Sequence, residues 1–197
     1  MTDKEASTGA NPQCPIGEHW VRTHYRTRIT NGKKTRSKVE GHCRINPSHF
    51  EDLAIKEGLD LETLYFALTL FGEVRGQNET SRNLIAWVIR NRYTRHKGKK
   101  AYQELVTKPA QFSCWLASDP NYKLLKNPSE APKIPDRMAW GQIKALAKEV
   151  KNAAEAKNPI PGVCHYFSGA PNIKDHPWQK VHFKMPGAPA FSFVKLK

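Results

Sequence analysis

Leu61-Glu62-Thr63-Leu64-Tyr65-Phe66-Ala67-Leu68-Thr69-Leu70-Phe71-Gly72-Glu73-Val74-Arg75-Gly76 is the stretch around which the rest of the chain is read. Asp60 stands before it as a residue type that caps helix N-termini. From Leu61 to Phe71 the apolar side chains fall nearly all round a helix. A helix with no polar face belongs inside a core. Gly72 is expected to break it, leaving Glu73 directly after the break. A carboxylate there meets apolar neighbours and the negative end of the helix dipole. Both disfavour the charged form and are expected to raise its pKa. A carboxylic acid that keeps its proton near neutral pH has the property a general acid needs. The competing reading turns Glu73 to solvent, paired with Arg75 or Arg82.

Outward from this stretch, the elements are short and mostly helical. Ser48 and Glu51 have capping-box spacing, and the helix they open ends at Gly58. Asn78 or Thr80 caps the next helix, with the stripe Leu84, Ile85, Val88 and Ile89. Tyr102 to Val106 reads as a short helix, and residues 107 to 135 as a proline-rich connection. Asp136 is expected to cap a long helix with Ile143, Leu146, Ala147, Val150 and Ala154 on one face, stopped by Asn158-Pro159-Ile160-Pro161-Gly162. Near the C-terminus the alternations Val181/Phe183 and Phe191/Phe193 flank Met185-Pro186-Gly187-Ala188-Pro189 and read as a hairpin of two short strands. The fold class is therefore mainly α with a small C-terminal β-hairpin.

The first 45 residues differ in character and are expected to form a separate arm, with the folded domain running from 46 to 197. Residues 1 to 13 read as a disordered tail without the basic and apolar regions of a secretory signal. Residues 14 to 45 contain Trp20-Val21-Arg22-Thr23-His24-Tyr25-Arg26, an echo in Lys38-Val39-Glu40-Gly41-His42-Cys43-Arg44, and the turn pair Asn31-Gly32 between them. A two-stranded basic ribbon is expected, for targeting or docking or simply as a solvated face. Cys14, His19, His24, His42 and Cys43 do not have the usual zinc-ligand spacings, so no metal or other cofactor is expected. Four cysteines allow three pairings, and an oxidising compartment would favour Cys14–Cys43 and Cys114–Cys164.

The chain has 197 residues and a net charge of +14, enough for one substantial core and for long-range attraction to polyanions. No apolar run approaches the ~20 residues of a membrane span.

Three short motifs lie in order along the chain. Gly72-Glu73-Val74-Arg75-Gly76 is followed by a helix ending Ile89-Arg90-Asn91-Arg92, and then by Gln111-Phe112-Ser113. This arrangement resembles the SleB-type cell wall hydrolases, which carry Gly-Glu-Ala-Arg-Gly, a helix ending in an Asn-Arg pair, and Gln-Phe-Ser. The resemblance covers residues from about 61 to the C-terminus. His165-Tyr166-Phe167 is similar to an aromatic cluster of that family, although Ser168-Gly169 stands where members often have Asn-Pro, and Val74 replaces the usual Ala.

The resemblance implies a lysozyme-like helical domain that cleaves peptidoglycan between N-acetylmuramic acid and N-acetylglucosamine, with Glu73 as the catalytic acid. Gln111, Phe112, Ser113, Trp115, Tyr166 and Phe167 are the implied substrate-binding residues. A hydrolase would need a second carboxylate, for which Glu79 and Asp119 are the nearby candidates. A lytic transglycosylase would need none, because the muramic acid's own 6-hydroxyl attacks. The implied partners are bacterial peptidoglycan and anionic envelope polymers, with residues 14 to 45 available for a virion or secretion-machine partner. The implied site of action is the bacterial wall in the periplasm. A chain without a signal peptide would reach it by a holin, a virion or a secretion system, and a bacteriophage endolysin is the favoured setting. The other class of function is a basic nucleic-acid-binding or virion structural protein, supported by the ribbon and by Asn91-Arg92-Tyr93-Thr94-Arg95-His96-Lys97.

Overall fold

The computed structural model describes residues 18–30, 33–45, 47–96, 101–108, 111–176, 179 and 181–195. The chain divides into two compact units, Met1–Asp52 and Leu53–Lys197. The sequence reading placed the change of character at residues 45–46, ahead of the first helix rather than within it. The tail 1–13, Cys14 and the Asn31-Gly32 turn lie outside the described residues, as do the side chains of His19, His24, His42 and Cys43.

In the first unit, β1 (Glu18–Val21) pairs with β4 (His42–Ile45), and β2 (His24–Thr30) pairs with β3 (Lys33–Val39), both antiparallel. One register runs through both ladders, from Glu18 opposite Ile45 to Thr30 opposite Lys33. The ribbon is thus one long hairpin, interrupted where the Thr23 hydroxyl accepts from the Gly41 N–H at 2.9 Å. Gly41 is required there: a Cβ would come within 2.3 Å of the Trp20 indole, which lies diagonally across it.

Six helices follow. α1 (Pro47–Glu57) begins at Pro47, so Ser48 lies inside the helix instead of capping it. Proline suits a first helical position, where its missing N–H has no partner to lose. Gly58, at φ 63°, ends α1, and the Leu59 N–H reaches back to the Ala54 carbonyl. α2 (Leu61–Val74) is capped by Asp60, which accepts from the Thr63 N–H at 2.8 Å and the Thr63 hydroxyl at 2.6 Å. α3 (Glu79–Arg95) is capped by Asn78, and α4 (Tyr102–Val106) and α5 (Tyr122–Leu125) are short. α6 (Ile134–Asn152) starts two residues before the expected Asp136, with Pro135 in its first turn.

α2 is the axis of the second unit. α3, α4, α5 and α6 all pack against it, which is why its sequence has no polar side. Phe66 stacks on Tyr102 and Tyr102 on Tyr93, while Phe71 meets Trp140 of α6 edge-on. Glu57 accepts from Trp140 Nε1 at 2.9 Å and Lys144 Nζ at 2.7 Å, tying the end of α1 to α6. The helix does not break at Gly72. It continues through Gly72 and Glu73 to Val74, and the glycine serves close packing: a Cβ there would lie 2.5 Å from Cys114 Cβ.

β5 (His165–Ser168) pairs with β6 (Phe191–Val194) in the C-terminal part. The expected hairpin partner, around Val181 and Phe183, contributes a single bridge among the described residues, Phe183 to Phe193. All four residues of β6 are buried, the pattern of a strand covered on both faces, and β5 is its main neighbour. The described part of the chain is therefore helix-rich with small antiparallel ladders, and none of its helices is long and apolar enough to cross a membrane.

Candidate active site

Tyr65, Thr69 and Glu73 occupy successive i+4 positions on α2 and so share one face. The segment 112–115 lies along that face. Trp115 Nε1 donates to the Thr69 hydroxyl at 2.9 Å, and its ring tilts onto Tyr65. One turn further, Glu73 Oε1 accepts from the Cys114 N–H at 3.3 Å, and Oε2 accepts from the Tyr166 hydroxyl at 2.5 Å. Glu73 thus joins α2, the 112–115 segment and β5 at one carboxylate. Its hydrogen bonds run to Cys114 and Tyr166 rather than to Arg75 or Arg82. Arg75 Nη1 instead donates to Asn121 at 2.7 Å, and Arg82 Nη1 to Gln142 at 2.6 Å.

The convergence is built by the end of α3. Asn91, buried, donates through Nδ2 to the Ile160 and Val163 carbonyls, each at 2.9 Å, and accepts from Asn158 at 2.7 Å. Arg92 donates to the Cys164 carbonyl at 2.5 Å and to the Gln111 carbonyl at 2.8 Å, and its guanidinium covers the Phe112 ring. One residue pair therefore fixes both segments that reach Glu73: the strand carrying Tyr166 and the turn carrying Cys114.

Burial pushes the Tyr166 hydroxyl well above its ordinary pKa, and the Glu73 carboxylate adds to that. Tyr166 therefore keeps its proton and donates it. Burial likewise raises the Cys114 thiol, again with Glu73 contributing, so Cys114 stays a thiol. Burial lowers the Arg92 guanidinium, opposed by Tyr166, Cys164 and Glu73.

Glu73 opens onto a depression of about 350 Å³, lined also by Arg75, Asn121, Lys133 and Asp136. Asp136 Oδ1 lies 3.2 Å from Arg75 Nε, an ion pair by distance without hydrogen-bond geometry. Of the carboxylates expected near Glu73, Glu79 is exposed in the first turn of α3. Asp119 accepts from the Asn121 N–H at 2.8 Å. Asp136, expected as a helix cap, is the carboxylate that shares the depression.

The other expected site residues separate. Tyr166 touches Glu73, and Trp115 is anchored one turn away. Ser113 is exposed in a 3-10 turn, and Gln111 engages Arg92 through its backbone carbonyl. Phe112 is 3 % exposed beneath Arg92 and offers no face to a ligand. Phe167 packs edge-on against His182, and as the strand neighbour of Tyr166 it points to the opposite face of β5. Cys114 and Cys164 are separate buried free thiols and do not form the pair expected for an oxidising compartment. Cys114 packs against Gly72 instead. Among the described residues, no group of His, Cys, Asp and Glu is arranged to hold a metal ion.

No known protein family, curated protein or solved structure matches this chain. The likeness to the SleB-type enzymes therefore rests on the short motifs quoted above.

Proposed function

We propose that this protein is a muralytic enzyme that cuts the glycan strand of peptidoglycan between N-acetylmuramic acid and N-acetylglucosamine. Glu73 is its acid, in a helical domain of lysozyme-like character. The observation that carries the reading is the convergence of the motif pieces around one carboxylate: Arg92 holds the Gln111 and Cys164 backbones, Asn91 holds those of Ile160 and Val163, and Tyr166 and Cys114 then hold Glu73. In this reading Glu73 protonates the glycosidic oxygen and Tyr166 fixes the carboxyl orientation. Because Asp136 sits against Arg75, the route that needs no second carboxylate is preferred. The muramic acid's 6-hydroxyl then attacks, and Glu73 takes its proton. Trp115, anchored one turn along α2 from Glu73, supplies an aromatic neighbour. A bacteriophage lysin delivered to the periplasm fits an enzyme of this kind, and the basic hairpin suits anionic envelope polymers.

A second reading, binding to nucleic acid, is favoured by one face of the hairpin. Lys34, Arg36 and Lys38 alternate along β3, all exposed, and Arg36 lies 4.3 Å from the centre of the exposed Tyr25 ring. Two assays on the same preparation separate the readings. Release of soluble muropeptides from purified murein, without retention of an oligonucleotide at moderate salt, is the expected result. Retention of the oligonucleotide without muropeptide release would replace the enzyme reading with the binding one.

A further inference from the structure

A depression of about 290 Å³ is lined by Arg92, Arg95, His96, Gln111, Cys164 and His165. It adjoins β5 on the side of His165, which as the strand neighbour of Tyr166 points to the other face. Two guanidinium groups and two imidazoles border it, and no carboxylate does among the described residues. Glu155 borders an adjoining depression together with Arg95 and Lys195 and already accepts from Asn158 Nδ2 at 2.7 Å, while Glu73 acts on Arg92. Burial lowers the His165 pKa, and Arg92 and Arg95 lower it further, so both cations reach the imidazole electrostatically.

Basic residues in a last helical turn commonly just offset the helix dipole. That role accounts for Arg92 and Arg95 but not for imidazoles gathered beside them in a concavity. Arg92 is committed to the Cys164 and Gln111 carbonyls, so it supplies charge rather than a free fork. Arg95, exposed at the end of α3, can present its planar donors to two oxygens at once.

We propose that this depression is a binding site for a small oxyanion of the phosphate type, held by Arg95 with His165 and His96 as further donors. An anion there offsets the positive field on His165 and favours its protonated, doubly donating form. Occupancy also bears on Arg92, whose two carbonyl contacts shape the neighbouring site. The proposal stands whether or not Glu73 cleaves a glycan.

The test is NMR of the imidazole C–H signals in the full-length protein, titrated with inorganic phosphate and, separately, with chloride at matched ionic strength. A saturable shift of the His165 signal with phosphate but not chloride is expected. Arg95→Ala should weaken it about tenfold or more, and Arg95→Lys, which keeps the charge but not the fork, by less. Should Arg95→Ala fail to fold, the comparison of Arg95→Lys with the parent decides. Glycerol phosphate in place of inorganic phosphate distinguishes polymer-borne phosphate, which it should mimic with equal affinity, from the free ion, which alone would then bind. No saturable shift, an equal shift with chloride, or an unchanged affinity in the Arg95 variants would overturn the proposal.

Discussion

Gly72 shows how much one residue can carry. A Cβ at this position would lie 2.5 Å from Cys114 Cβ and 2.8 Å from its Sγ, inside a helix buried on every side. Gly72→Ala should therefore destabilise the protein by about 1–3 kcal/mol through overpacking, despite alanine's better helix propensity. Thermal unfolding checks this, and an unchanged or raised melting temperature would mean the α2–Cys114 contact is looser than described. The sequence alone pointed the other way, because glycine after an apolar run reads as a terminator. The close approach that demands it comes from a residue 42 positions downstream, which no local pattern reports. Glu73 was legible as a carboxylate at the end of a buried helix, although it lies within α2 and not after a break. Its partners were legible only in part: Tyr166 through the aromatic cluster, Cys114 through nothing in the sequence.

Among the elements, α2 and α3 were readable because their caps and apolar patterns are local facts: Asp60 caps α2 as expected, and of the two candidates Asn78 and Thr80 it is Asn78 that caps α3. The strand pairing was not, because β6 pairs with β5, more than twenty residues back along the chain, and meets Phe183 in a bridge alone among the described residues. The end of α3 carries the second prediction. Asn91→Ala removes the partners of two buried carbonyls and of Asn158, and should cost about 1–3 kcal/mol or more. Murein cleavage should fall further than stability accounts for, because the segment leading to Tyr166 loses its anchor. Activity intact in a destabilised but folded variant would confine Asn91 to a structural role.

The start of α2 carries a pH prediction. Burial alone would raise Asp60, but hydrogen bonds from Lys151 and Thr63 outweigh it and hold the pKa at about 2, below the ordinary 3.8. The charged form is thus favoured in the folded state. Its contribution to stability is complete above about 3.8 and is lost as pH falls toward about 2. Asp60→Asn keeps an N-cap residue but not the charge, so stability of the variant should fall less steeply across that window in chemical denaturation. The effect is small, since the side chain is largely exposed. Equal slopes in both proteins would contradict it.

For the whole molecule, two compact units invite separation. Deleting residues 1–45 should leave a folded protein, because the buried residues of the helical core all lie after that point. Binding to whole sacculi should weaken and lose part of its salt dependence as exposed Arg and Lys are removed. An insoluble truncation would mean that the hairpin belongs to the core. Unchanged sacculus binding would assign the hairpin to another partner.

The central claim is that Glu73 delivers a proton to a glycosidic bond, and replacing that proton donor tests it most directly. Glu73→Gln preserves shape but cannot give up a proton, and removal of a general acid typically costs on the order of 10² to 10⁴ in rate. Purified murein incubated with the parent and the variant, with soluble muropeptides quantified by mass spectrometry, provides the measurement. Circular dichroism on the same samples checks the fold. Release of muropeptides ending in 1,6-anhydro-muramic acid by the parent is expected, with near-complete loss of release by a folded Glu73→Gln. Muropeptide release by the variant at a rate close to the parent's, or none by the parent, would contradict it.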